Sequence, residues 1–257
     1  MTSSENFLRE FHTAHAGATS RAFGRAGSYG RLAACVAPHA RVLDLACGDG
    51  ALLAQLGANA VGIDLTLAEL RAVHARAGAL AGEHGLGEPP SLACARAQAL
   101  PFAAHSFDAV TCHLAFMLFD DLPAVVSELE RVLVPGGELL ALLGGGPTAD
   151  GDDAFHRFLA LLGPRTAPRL GDPRAKSEAG WHELMPSWRV APFERWTLDL
   201  SGSFDDVWAA LGASYEVAPE SATALEAGLR AATREWGNSI PCKAVAYLAR
   251  ATVNPAD

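Results

Sequence analysis

The chain has 257 residues, 50% of them apolar and 19% charged, with 20 Lys and Arg against 29 Asp and Glu for a formal charge of −9. The apolar share excludes global disorder, and the acidic balance excludes a non-specific grip on a nucleic-acid backbone. The length suits one generous domain, or one domain with a lid. No apolar stretch is long enough to span a bilayer, and residues 1–6 lack the basic start of a secretory signal, so a cytoplasmic protein with no membrane partner is expected. Cys35, Cys47, Cys94, Cys112 and Cys242 include no C-x-x-C pair, which predicts buried free thiols.

Taken in chain order, a helical stretch over 5–14 and a second over 28–36 precede Pro38, which stops the latter. From Arg41 strands and helices alternate. Strands are predicted at 41–46, 58–64, 91–95, 107–113 and 138–143. Helices are predicted at 50–56, 67–83 and 121–133, the last from the apolar spacing of Leu122, Val125, Val126, Leu129 and Leu133. Pro135-Gly136-Gly137 reads as a turn. Beyond Gly144-Gly145-Gly146 the chain becomes rich in Pro, Arg and Gly, with helices expected at 153–162 and 178–184. A strand at 193–200, helices at 204–211 and 222–236, and a last strand at 244–249 follow. Apolar strands alternating with helices predict a doubly wound, mostly parallel α/β sheet covered on both faces. Ligands of such sheets bind at the carboxyl ends of the strands, which makes 145–185 the natural lid.

One segment carries chemistry. Val42-Leu43-Asp44-Leu45-Ala46-Cys47-Gly48-Asp49-Gly50 is a strand running into a turn of small residues, where backbone can approach a ligand closely. Gly62-Ile63-Asp64 ends the second strand fourteen residues after Gly50, where an acidic side chain reaches both hydroxyls of a ribose. The glycine spacing lacks the G-x-G-x-x-G that admits a pyrophosphate. Asp44, inside the strand, suits a cationic and phosphate-free ligand.

VLDLACGDG, VGIDLT, ARAQALPF, FDAVTCHLAFMLFDDL and RVLVPGGELLAL, in this order, closely resemble the class I S-adenosylmethionine-dependent methyltransferases of small-molecule type. The likeness covers about residues 28–143, more loosely to about 250. It implies a Rossmann-like sheet of seven strands with helical lid elements. Within a single domain 1–257 it implies an N-terminal helical cover (1–37), a cofactor-binding half (38–144), a lid insertion (145–190) and C-terminal strands and helices completing the sheet (191–257). It implies S-adenosyl-L-methionine as cofactor and S-adenosyl-L-homocysteine as product. Asp44 would organise the turn and the cofactor's amino group, and Ala46, Gly48 and Gly50 would cradle the methionyl part. Asp64 would hold the ribose and Leu65 would pack on the adenine. Ala97 and Gln98 would meet the adenine edge, and Cys112 and His113 would border the sulfonium. Tyr29 and Arg21 would lie in the cover. Two departures stand out: Ala46 replaces a glycine, tolerable if its φ stays negative, and Arg96 stands where the family places an aspartate that accepts from the adenine amine.

The place after strand four, Cys112-His113-Leu114-Ala115, lacks the Asn/Asp-Pro-Pro-aromatic turn of amino-methylating nucleic-acid enzymes. Pro-Cys nucleophiles and the acidic pairs of metal-dependent catechol enzymes are missing too. The expected function is therefore metal-free, in-line methyl transfer to a small metabolite by a monomer or homodimer without nucleic-acid partners, the acceptor atom being open. His113 is the candidate general base or substrate-orienting group. A packing histidine bonded to a backbone carbonyl is the alternative. Arg21, Phe116, His156 and Trp181 are the candidate substrate residues, and His12 and His15 are expected to help close the cover. A non-catalytic S-adenosylmethionine-binding scaffold, or a protein methyltransferase, are the rival readings.

Overall fold

The computed structural model describes residues 2–84, 90–149, 151–162 and 169–255. Three short helices come first: α1 (Ser3–Ala14), α2 (Ala18–Phe23) and α3 (Ser28–Ala33). The alternating half follows as β1 (Val42–Leu45), α4 (Leu53–Leu56), β2 (Ala60–Asp64), α5 (Leu67–His84), β3 (Ser91–Cys94), β4 (Phe107–His113), α6 (Leu122–Val132) and β5 (Leu133–Pro147). The remainder is α7 (Ala154–Leu161), α8 (Glu178–Leu184), β6 (Trp188–Val190), β7 (Glu194–Asp199), α9 (Phe204–Leu211), α10 (Ala222–Ala232) and β8 (Lys243–Val253).

The sheet runs β3-β2-β1-β4-β5-β8-β6, with β7 also on β8. β1 to β5 are parallel, and β8 is antiparallel to its neighbours. Every residue of β1 is buried, as a strand covered on both faces requires. α6 shows why the apolar period was readable: Leu122, Val125, Val126, Leu129 and Val132 form its buried face. Each such side chain stabilises the fold by about 1.5–3 kcal/mol. Asp121 caps the helix by accepting from Ala124 N, and Pro123 fits a first turn where its missing N–H costs nothing.

Eight strands, not seven, occupy the seven positions of the sheet. The outer position is split, because β6 pairs with Ala251–Val253 and β7 with Lys243–Leu248. Ala191 N still donates to Arg250 O at 2.9 Å, but Pro192 has no N–H to continue the ladder. Three local expectations also change. The helix after the glycine turn is one turn long, Leu53–Leu56, not 50–56. Pro135–Gly137 is a bulge within β5, with Gly136 at φ +81°, and Gly144–Gly146 forms a second irregularity of the same strand against β8. The segment around α8 is core: Trp181 is fully buried against Phe116 and Phe193 and donates Nε1–H to Ala175 O at 2.8 Å. All five cysteines are free; Cys47, Cys112 and Cys242 are buried, Cys35 half-buried and Cys94 exposed. Among the described residues no helix is long and apolar enough to cross a membrane.

Candidate functional site

The carboxyl ends of β1, β2, β3 and β4 open into a cavity of about 1090 Å³, part of it open solvent. Its floor is the turn after β1. Cys47 N donates to Ile63 O at 2.8 Å and Gly50 N to Cys47 O at 3.0 Å, which folds the chain back under α5. Ala46 stands at φ +57°, so the condition of a negative φ is not met; an alanine is held in the left-handed region. Gly48 (φ +53°) lines the cavity. Gly50 (φ +78°) does not: a Cβ there would meet Val73 at 2.9 Å, so this glycine serves helix packing and not the cradle expected of it.

Two carboxylates shape the floor. Asp44 accepts from Thr111 Oγ1 at 3.1 Å on Oδ1, while its buried Oδ2 has no protein partner. Burial, with the Asp64 charge adding to it, pushes its carboxyl up to about 8 despite the Thr111 hydrogen bond. Asp64 is pinned from both sides, Oδ2 accepting from Gly48 N (3.0 Å) and Oδ1 from Thr66 N (2.9 Å) and Thr66 Oγ1 (2.7 Å). Burial raises its carboxyl while these bonds pull the other way. An unpartnered buried carboxylate oxygen at a cavity wall is a place for a cationic group.

The end of β4 supplies His113. Its ring stacks on Tyr29 at 3.9 Å and Nε2 lies 2.9 Å from Ser28 Oγ, while the buried Nδ1 has no partner. The partner is a hydroxyl and not the backbone carbonyl of the packing alternative. Burial pushes the imidazole down to about 3, so the ring is neutral.

The roof is the N-terminal segment. α1 contributes Glu5, Leu8, Arg9 and His12 to the lining, and α2 contributes Thr19 and Ser20. Two side-chain bridges hold it down. His12 spans Glu69 on α5 (Nδ1 to Oε1, 2.8 Å) and Tyr215 beyond α9 (Nε2 to Oη, 2.9 Å). Arg96 donates to Glu5 Oε1 from Nε (3.1 Å) and Nη2 (2.6 Å). Burial raises the Glu5 carboxyl, yet the bonds from Arg96 and from Thr2 N leave it below the usual carboxylate range. Thr2 and Glu5 also form the capping box of α1, and Thr2 Oγ1 donates to Asp120.

Of the residues singled out from sequence, Asp44, Ala46, Gly48, Asp64, Leu65, Ala97, Gln98, Tyr29 and His113 line this one cavity. Cys112 is fully buried behind it, and Phe116 and Trp181 are core, so none of the three borders a ligand space. Arg21 points elsewhere, donating to Ala16 O at 2.9 Å. His156 is bound between Asp153 (2.7 Å) and Thr148 O (2.9 Å), away from the cavity. No described residue of 145–190 lines the cavity, so the expected lid insertion does not cover it; α1 does. Glu5, Glu69 and Tyr215 went unremarked in the sequence. Their one visible signal was Thr2-x-x-Glu5, which reads only as a helix start.

A family model described as "Methyltransferase domain" matches residues 43–141, the strands and turns that build the floor. The chain is 40% identical over 136 residues to a demethylmenaquinone methyltransferase of Thermus thermophilus, covering 51% of this chain and 58% of that one. It is 37% identical over 108 residues to the nocamycin O-methyltransferase of Saccharothrix syringae, covering 40% and 37%. The chain thus spans about half the length of the curated relatives it matches. Among solved structures, the YcgJ protein of Bacillus subtilis has the same fold, with a TM-score of 0.59 at 21% identity over 89% of this chain and 99% of that one. Residues 43–141, which match a methyltransferase domain, are the ones that bring the parallel sheet, the glycine turn and the two carboxylates into register.

Proposed function

We propose that the protein moves the methyl group of S-adenosylmethionine onto a small-molecule acceptor. The observation that carries this reading is Asp44 Oδ2, buried at the cavity floor without a partner. An isolated buried carboxylate oxygen costs free energy until a donor reaches it, and the cofactor's ammonium is such a donor. Asp64, immobilised by Gly48 and Thr66, keeps one acceptor position, on Oδ2, for a ribose hydroxyl, and Leu65, Ala97 and Gln98 wall the space for a base.

The cofactor supplies an electrophilic methyl on a sulfonium, so the protein's share is alignment and the handling of one proton. His113 is the group for the first task. As a neutral ring whose conjugate acid is strongly disfavoured, it suits orienting the acceptor through Nδ1 better than storing a proton. Ser28 sets the tautomer: if its hydroxyl donates to Nε2, Nδ1 carries the hydrogen, and if Nε2–H donates, Nδ1 accepts.

The lining holds six carboxylates, Glu5, Asp44, Asp49, Asp64, Glu69 and Asp120, against the guanidiniums of Arg9 and Arg96. A neutral or cationic acceptor fits that balance better than an anion. A roofed cavity supports a small molecule over a peptide segment, as do the names of the two methyltransferase relatives. Calorimetric titration with S-adenosylmethionine and S-adenosylhomocysteine tests the reading. Micromolar affinity for both is expected, and heat from neither would sink it. Binding without turnover across a screen of hydroxyl, amine, thiol and carbon acceptors would favour the scaffold.

A further inference from the structure

β3 neighbours β2 in the sheet, so the loop 95–98 lies about one strand spacing, ~4.8 Å, beyond the end of β2. On the cofactor reading above, a nucleoside held at Asp64 with one arm toward Asp44 on β1 has its base on the β3 side. That base carries an exocyclic amine, which needs an acceptor.

The groups lining that end divide sharply. Arg96 has donors only. Gln98 commits its Nε2 to Asp120 O at 2.8 Å, which fixes the amide and leaves a neutral carbonyl. Two anions lie near that end: Asp120 is half-buried and takes Thr2 Oγ1, whereas Glu5 is the buried one, 7% exposed although it sits in the first turn of a helix. A carboxylate offers about four acceptor positions. Arg96 Nε and Nη2 take two on Oε1, and Thr2 N takes one on Oε2 at 3.1 Å. One remains, on a residue that lines the cavity.

We propose that Glu5, carried on the roof helix and held in place by Arg96, is the acceptor that reads the exocyclic amine of the bound cofactor's base. Arg96 then has a positive role: it fixes a carboxylate delivered from α1, 91 residues away along the chain. The base-reading group thereby arrives only when the roof is seated, so recognition of adenine and closure over the cofactor are one event.

The test uses the full chain and two probes, S-adenosylhomocysteine and its analogue with unsubstituted purine in place of adenine. The native protein is expected to bind the adenine compound about 10- to 100-fold more tightly, the range of a hydrogen bond to a charged acceptor. Glu5→Ala should erase that preference, weakening the adenine compound while changing the purine compound less than about threefold. Thr2→Ala breaks the helix cap but keeps the carboxylate, and should weaken both probes alike while preserving the preference. A preference that survives in Glu5→Ala overturns the proposal. So does equal weakening of both probes by Glu5→Ala, which would make Glu5 a strut of the roof, or a preference lost in Gln98→Ala instead. Failure of the native chain to bind S-adenosylhomocysteine at all is a separate result, and it overturns the cofactor reading together with this inference.

Discussion

The floor and the roof of the cavity are built on opposite plans. The floor comes from two short runs, Asp44–Gly50 and Gly62–Thr66, brought together by parallel pairing of β1 with β2 and closed by bonds that mostly involve backbone. The roof is one helix held by side chains reaching across the molecule, His12 to Glu69 and Tyr215, and Glu5 to Arg96. A floor made by the sheet cannot move without breaking the core. A roof held by a few side-chain bonds can open at a cost of a few kcal/mol. Most of the ligand affinity should therefore rest on the floor, while the roof adds selectivity for the base and sets the rate of exchange.

The largest effect that sharpens this contrast is expected at Asp64. Asp64→Ala removes the proposed ribose partner and frees Gly48 N and Thr66, so affinity for S-adenosylhomocysteine should fall by about 100-fold, the loss of one charge-assisted bond together with the fixed turn that presents it. Calorimetry on a variant whose circular dichroism is unchanged reads this directly, and native affinity would refute the floor assignment.

Asp44 gives the next effect, through pH. Its carboxyl is held at about 8 in the free protein, chiefly by burial, so below that pH the group carries a proton that a cationic ligand must displace. Affinity for S-adenosylmethionine should rise as pH increases toward 8, by at most about tenfold per unit, and then level off. Binding at pH 7 should release a proton, visible as a dependence of the calorimetric heat on the buffer's ionisation enthalpy. Asp44→Asn should flatten the profile, and a slope that persists in that variant would point to another group.

The roof offers a smaller, kinetic effect. His12→Ala deletes the bridge between Glu69 and Tyr215 while leaving every floor bond in place. The dissociation rate of S-adenosylhomocysteine, followed by stopped-flow, should rise about tenfold, as expected for one or two lost hydrogen bonds of ~1 kcal/mol each. An unchanged rate would mean that the helix is held by its apolar contacts, Phe7 and Phe11 on Tyr215, and not by the histidine.

The same division explains what could be read from sequence. Asp44, Gly48 and Asp64 sit at fixed offsets from strand ends, and strand ends are visible as changes of hydrophobic period, so their meeting followed from local pattern. Glu5 with Arg96 and His12 with Tyr215 are separated by 91 and 203 residues, and no periodicity encodes such pairs. Arg96 looked like a defect because its partner lies on another element. The second lid was misplaced for a related reason. Trp181, taken as a pocket residue, is an aromatic that the core needed against Phe116, and composition alone does not separate the two uses. The split of the outer strand was signalled by Pro192, immediately before the strand expected at 193–200.

The smallest effect expected lies in the floor turn itself, at Ala46. Its φ of +57° costs an alanine about 1–2 kcal/mol, and glycine removes that strain. Glycine also gains freedom in the unfolded chain, which offsets about 0.5–1 kcal/mol. Ala46→Gly should therefore be neutral to stabilising, by up to about 1 kcal/mol, or a rise in Tm of about 2–4 °C for a chain of this size. Destabilisation would mean that the Ala46 methyl packs usefully enough at the cavity wall to outweigh its backbone strain. Ligand affinity separates a structural from a functional use of that strain. A more stable variant that binds S-adenosylhomocysteine as the native chain does makes the turn a tolerated substitution. A more stable variant that binds it less well makes the alanine a device that holds the turn ready for its ligand.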